Sequence, residues 1–212
     1  MQLHWLEARF VRRLNALETH HSDFLARAQT PPSKGVELYE LEGWVSDWWQ
    51  VWCRFCRRIV IESSLGCIGA GGAVFPSVHA SEPHVSHIAW KQKAGIAPTM
   101  PGTNSILRKE PTWGDVDKLL EIIGAVNPAN APSLLAAFGT VPNIDHLRLI
   151  RNAAAHMNAQ TLGEVIALQP LYRSTPIQHP LHALMWIEPT SGKTLAQALI
   201  QDMRIAARNA CS

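Results

Sequence analysis

Residues 41–59 read LEGWVSDWWQVWCRFCRRI. Leu41, Trp44, Trp48, Trp52, Phe55 and Ile59 recur every three or four positions, the spacing that lines side chains along one face of an α-helix. Outward from this stretch the same period predicts a helix from about Val36 to Ser63. Upstream, Leu3, Leu6, Phe10, Leu14, Leu17, Phe24 and Leu25 repeat it over residues 2–28, with Arg9, Arg12, Arg13 and Glu18 mostly on the other side. Pro31 and Pro32 stop that first helix, and a short Pro-Ser-Lys-Gly turn leads into the second. The pair predicts an antiparallel helical hairpin.

Downstream the pattern breaks. Between Leu65 and Pro111 lie GCIGAGGAVFPSVHASEPH, then VSHIAWKQK, then APTMPGTNS. Gly, Pro and Ser set the tone, and the segment reads as a long loop or an inserted subdomain holding a short hairpin. Thr112-Trp-Gly-Asp has the form of a capping box opening a helix over Trp113–Val126, which Asn127-Pro128 stops. A short helix is expected over Pro132–Phe138, closed by Gly139. Another follows Pro142-Asn143 and carries IDHLRLIRNAAAHM, and Thr161–Leu168 continues in helical style. Residues 174–190 are broken by prolines, with HALMWI as a strand or extended run, and Lys193–Asn209 closes the chain as an amphipathic helix. The expectation is a single all-α helical bundle over 1–212, with one irregular Gly/Pro-rich insertion at 65–111.

Composition limits the function. The 212 residues are 47% hydrophobic and 17% charged, enough for a proper core and incompatible with wholesale disorder. Lys and Arg number 19 against 17 Asp and Glu, a net charge of +2, so any polyanion site must be local. No stretch reaches the roughly 18 apolar residues of a membrane span. The charged start MQLHWLEARFVRRLNALETHH does not read as a signal peptide. Four cysteines without such a signal imply reduced thiols and a cytoplasmic protein.

Several motifs compete for chemistry. Cys53-x-x-Cys56, with Cys67, His79, His84 or His87, has the donors for zinc. It lies mid-helix without a second CxxC, so buried thiols are the preferred reading and no metal is assigned. Trp44, Trp48, Trp49 and Trp52 have the area to stack bases, but at helical spacing they read as core or interface. PTSGKT resembles a phosphate loop, yet Ile187 stands where the first glycine of GxxxxGK[ST] belongs, so Thr190/Ser191 read as the cap of the last helix. His20, His21, His79, His84 and His87 read as loop or helix-end histidines.

Residues 145–156, DHLRLIRNAAAH, stand out. On a helix, Arg148, Asn152 and His156 fall four apart and form one polar stripe. Arg151 lies one step round, within reach of an anion held near Asn152. Leu147, Ile150 and Ala154 make the apolar side, and Ala153, Ala154 and Ala155 leave room for a second helix. Arginine is an always-charged forked phosphate ligand, and histidine exchanges protons near neutral pH. Together they supply what metal-free RNA cleavage needs: a base or acid for the 2′-hydroxyl and the 5′-oxygen, and a cation for the charge growing on phosphorus. A solvated helix face with a C-terminal histidine has the same appearance.

Arg151-Asn152-Ala153-Ala154-Ala155-His156 resembles the R-x(4–6)-H motif of the HEPN superfamily, the "higher eukaryotes and prokaryotes nucleotide-binding" domains. In that family a polar residue often follows the arginine, as Asn152 does. The resemblance covers about residues 143–158 and the general helical order; the insertion is outside the family's minimal pattern. It implies a metal-independent endoribonuclease without a cofactor, of toxin or antiviral-defence type, leaving 2′,3′-cyclic phosphate and 5′-hydroxyl ends. It implies Arg151 on the scissile phosphate, His156 as acid/base and Asn152 orienting them, with Arg148 as an RNA contact. It also implies a homodimer with a composite site, and an antitoxin or sensor ATPase as partner. The alternatives are a non-catalytic HEPN-like module that binds a nucleotide or a protein, and a zinc-dependent adaptor built on Cys53 and Cys56.

Overall fold

The computed structural model describes residues 1–28, 31–94, 110–141 and 143–212. Among them the chain is all-α apart from one two-stranded sheet and three isolated bridges. The order is α1 (Leu3–Arg27), α2 (Gly35–Leu65), β1 (Cys67–Ile68), β2 (Val74–Phe75), α3 (Glu82–Ala94), α4 (Val116–Val126), α5 (Ala131–Gly139), α6 (Ile144–Ala155), α7 (Ala159–Ile166), two 3-10 turns (Gln169–Leu171 and Pro180–Met185) and α8 (Leu195–Cys211). The chain divides into two compact units, and α1, α2 and α8 each supply residues to both.

One unit comprises Met1–Phe10, Trp52–Val141 and Ile205–Ser212. Trp52 is fully buried at its centre. Phe138 of α5 meets the indole edge-on at 5.8 Å, and the indole N–H donates to the Gly114 carbonyl at 3.1 Å, so the ring's one polar group is satisfied. β1 pairs antiparallel with β2, Cys67 opposite Phe75 and Ile68 opposite Val74. Both chain ends join this hairpin: the Ile68 N–H donates to the Met1 carbonyl at 2.9 Å, and the Ala70 N–H to the Cys211 carbonyl at 2.7 Å. Gly69 is required here, because a β-carbon would lie 2.9 Å from the Ser212 oxygen.

Part of the expected insertion is regular. Residues 82–94 form α3, not irregular chain. The Ser81 carbonyl accepts from the N–H groups of His84 and Val85, and Pro83 occupies the first turn, where a missing N–H is no loss. Among its described side chains only Val85, Ser86 and Ala89 are buried, a stripe too short to register as periodicity. Arg57 of α2 donates from Nε to Glu110 at 2.6 Å and from Nη2 to Glu82 at 2.9 Å. The Trp113 indole N–H donates to the same Glu110 carboxylate at 2.9 Å. Burial alone would raise the Glu110 pKa, but the bonds from Arg57 and Trp113 bring it below the ordinary value. Residues 95–109, with APTMPGTNS, lie outside the described residues, as does Pro142. The expected capping box is displaced: α4 starts at Val116, and Asp115 caps it by accepting the Lys118 N–H at 3.2 Å. Thr112 to Asp115 instead close a turn.

The other unit comprises Val11–Val51 and Pro142–Arg204. Its core gathers Leu14, Leu17 and Phe24 of α1, Trp44 and Trp48 of α2, Ile144, Leu147 and Ile150 of α6, and Leu199 and Met203 of α8. The Trp44 indole N–H donates to the Leu17 carbonyl at 2.8 Å, and that of Trp48 to the Met203 sulfur at 3.1 Å. The tryptophan row is therefore interior, which removes it as a base-stacking platform or a subunit interface. His21 is also interior, 5% exposed and stacked on Trp44 at 4.3 Å, where a loop or helix-end histidine was expected. HALMWI is a 3-10 turn through Met185, followed by an extended Ile187 that bridges to Arg173 and Thr194.

Candidate active site

α6 carries the Arg/Asn/His motif. Its buried side is Ile144, Leu147, Ile150 and Ala153, which fixes the rotation of the helix and leaves Arg148, Arg151 and Asn152 on the partly exposed side. Ala153 takes the buried place expected of Ala154, which is half-buried, and Ala155 is exposed.

The Arg151 Nη1–H donates to Asn152 Oδ1 at 3.1 Å. The partner is a neutral amide, so the guanidinium keeps its full charge for an anion. Arg148 is placed differently: its Nε and Nη2 donate to the two Asp145 carboxylate oxygens at 2.6 and 3.0 Å, a forked ion pair one turn back on the same helix. His156 is the residue after the helix, with φ −136° and ψ 56°, and its backbone N–H donates to the Asn152 carbonyl at 2.9 Å. Its carbonyl accepts from Asn158 Nδ2 at 3.0 Å and from the Thr161 hydroxyl at 2.9 Å. The imidazole is exposed, and among the described residues no hydrogen bond links it to Arg151 or Asn152. The structure thus joins Arg151 to Asn152 by side chains and joins Asn152 to His156 by backbone.

Sequence reasoning missed a second polar group on α6. His146 Nδ1 lies 2.6 Å from the Tyr172 hydroxyl, and the rings meet edge-on. Burial lowers the His146 pKa, against a smaller opposing pull from Asp145. Burial, then the carboxylates of Glu188 and Asp202, pushes the Tyr172 phenol up to about 12. At neutral pH both groups are uncharged, and their bond ties α6 to the segment after the first 3-10 turn. Its only sequence signal is that His146 sits beside Ile150 and Ala153 on the helical wheel, the apolar side.

The phosphate-loop lookalike is occupied by its own carboxylate. Glu188 accepts the N–H groups of Thr190 at 3.0 Å and Ser191 at 2.6 Å; the Ser191 side chain, then these two backbone groups, hold its pKa at about 2. The amides that would cradle a phosphate already hold an anion. The cap of α8 is Thr194 rather than Thr190 or Ser191: Thr194 Oγ1 accepts the Gln197 N–H at 3.2 Å, and Gln197 Oε1 accepts the Thr194 N–H at 3.1 Å.

Cys56 is fully buried, and burial pushes its thiol well up. The His79 ring Nε2 is bonded to the Val126 carbonyl at 2.7 Å. Among the described residues no group of three His, Cys, Asp or Glu side chains is arranged to hold a metal ion. Among them, too, no helix is long and apolar enough to cross a membrane. No protein-family model matches the chain, and neither curated proteins nor solved structures give a match.

Proposed function

We propose that the chain is a cytoplasmic, metal-independent endoribonuclease of HEPN type. The observation that carries this reading is the end of α6: a charge-retaining Arg151 bonded to a neutral Asn152, and an exposed His156 anchored to the same turn. Asn152 orients the arginine fork, which contacts the scissile phosphate and offsets the negative charge gained in the transition state. The 2′-oxygen attacks phosphorus as a base removes its proton, and the 5′-oxygen leaves as an acid returns one. The products are a 2′,3′-cyclic phosphate and a 5′-hydroxyl. One imidazole per chain supplies one of the two proton transfers at a time, so a homodimer that brings two motifs together suits the chemistry. A ribonuclease active in its own host also calls for a restraining partner, an antitoxin or a sensor ATPase.

Purified protein incubated in EDTA with tRNA and unstructured RNA tests this. Wild type is expected to cut and leave cyclic phosphate ends, while His156→Ala and Arg151→Ala do not. Equal cutting by wild type and His156→Ala refutes the assignment of the site. A second reading, a non-catalytic nucleotide- or protein-binding module, draws on Met157, Ile166 and Leu171, apolar side chains 60%, 42% and 55% exposed close to the motif in sequence. Growth arrest on expression favours the nuclease; unimpaired growth with no cutting favours the module.

A further inference from the structure

His156 lies one residue beyond the last turn of α6, so helix geometry alone does not aim its side chain. The direction of its Cα–Cβ bond depends on the two peptide units on either side. The preceding unit is tied to α6 through the His156 N–H and the Asn152 carbonyl, 2.9 Å apart. The following unit is tied to α7 twice, by Asn158 Nδ2 at 3.0 Å and the Thr161 hydroxyl at 2.9 Å, both donating to the His156 carbonyl.

These two side chains also form the capping box of α7. Asn158 Oδ1 accepts the Thr161 N–H at 3.0 Å, and Thr161 Oγ1 accepts the Asn158 N–H at 3.2 Å. A cap needs only an acceptor oxygen, which Ser or Asp supplies as well as Asn. The Asn158 amide nitrogen and the Thr161 hydroxyl proton are surplus to capping. The hydroxyl has one proton and two carbonyls in reach, His156 at 2.9 Å and Asn158 at 3.3 Å, and the shorter bond is the one to His156. Both surplus donors therefore converge on one carbonyl, that of the residue carrying the exposed imidazole.

We infer that Asn158 and Thr161 are positioning residues for His156, fixing the root of its imidazole against two helices at once. The inference rests on the nuclease reading for its effect on rate, although the restraint itself is a property of the backbone. Both act through the His156 carbonyl and neither bonds to Arg151, so loss of a donor is expected to loosen the imidazole and leave binding at Arg151 intact. The expected signature is a fall in kcat with KM unchanged.

The test is Thr161→Val, which keeps the β-branched shape and removes the hydroxyl, beside Thr161→Ser, which restores it, and Asn158→Ser, which keeps a capping oxygen and removes the amide donor. Cleavage by Thr161→Val and Asn158→Ser is expected to fall about 10-fold in kcat, with KM within about twofold of wild type, because small misplacements of a reacting group are costly. Thr161→Ser is expected to cut like wild type. In parallel, the NMR order parameter of the Met157 amide, which shares its peptide unit with the His156 carbonyl, is expected to drop from about 0.85 to below about 0.6 in Thr161→Val. An unchanged order parameter, a loss confined to KM, or a serine variant no better than valine overturns the inference. If wild type does not cut while the order parameter still drops, the nuclease reading falls and the restraint on His156 stands.

Discussion

His21 gives the sharpest link between the fold and a solution measurement. Its ring lies 4.3 Å from Trp44 and nearly parallel to it, and its Nε2 is buried with no hydrogen-bond partner among the described residues. Burial, only partly opposed by the Glu18 carboxylate and assisted by His20, pulls its pKa from about 6.5 to about 4. The folded chain therefore resists a proton that the unfolded chain accepts. Stability from this group is complete above pH 6.5 and is lost as pH falls toward 4, with no further loss below. At about 1.4 kcal/mol per pH unit the full difference is about 3 kcal/mol. At pH 4.5, where the folded imidazole is partly protonated as well, it is about 2.5 kcal/mol. The variant His21→Phe keeps an aromatic ring on Trp44 and removes both the titration and the orphaned nitrogen. Urea unfolding of both proteins at pH 7.5 and pH 4.5 reads the effect. The variant is expected within about 1 kcal/mol of wild type at pH 7.5. At pH 4.5 the gap is expected to have moved in the variant's favour by about 2.5 kcal/mol. Parallel stability profiles for the two proteins would refute the reasoning, because every other titrating group cancels in the comparison.

Two further outcomes follow from particular contacts. Arg57→Ala leaves the Glu82 and Glu110 carboxylates facing each other without their shared cation, and should lower stability by about 2 kcal/mol in denaturant melts, below the cost for a fully buried pair because the Arg57 side chain is 24% exposed. Thr194→Ala should cost about 1 kcal/mol as a lost helix cap, whereas Thr190→Ala stays within about 0.5 kcal/mol; equal losses in thermal unfolding would contradict the assignment of the cap.

Much of the architecture is written in local periodicity, and what is missing shows where local reading stops. In α1 the buried positions are Leu3, Leu6, Phe10, Leu14, Leu17, His21 and Phe24, steps of three and four throughout. The apolar members alone leave a gap of seven between Leu17 and Phe24. The helical period demands an occupant at position 21, so the buried histidine was legible from spacing although its residue type argued otherwise. The tryptophans of α2 were legible as core for the same reason. α3 was not, because its few buried residues fall below the length at which periodicity can be told from chance. The Arg151–Asn152 adjacency was visible, since neighbours in sequence are neighbours on the helix. The hold of Asn158 and Thr161 on His156 was hidden, because the cap they form reads as an ordinary helix start and says nothing of where the spare donors point.

Arg148 shows how magnitude, rather than the presence of a contact, decides what a pairing means for the site. The Asp145 carboxylate engages its fork at 2.6 and 3.0 Å, much as an RNA phosphate would. If that pair were strong, Arg148 would be lost to RNA. It is an i,i+3 pair on one helix with both side chains about a third or more exposed, a class worth about 0.2–0.5 kcal/mol. Displacing the carboxylate therefore weakens a phosphate contact by about twofold at most, since 0.4 kcal/mol is about a factor of two. Asp145 nonetheless leaves its own negative charge beside any phosphate at Arg148, whereas Arg151 is bonded to a neutral amide. Of two arginines one turn apart, Arg151 is thus the one bonded to a neutral group rather than to a carboxylate. On the nuclease reading proposed above, Arg148 would contact the RNA backbone farther from the scissile bond.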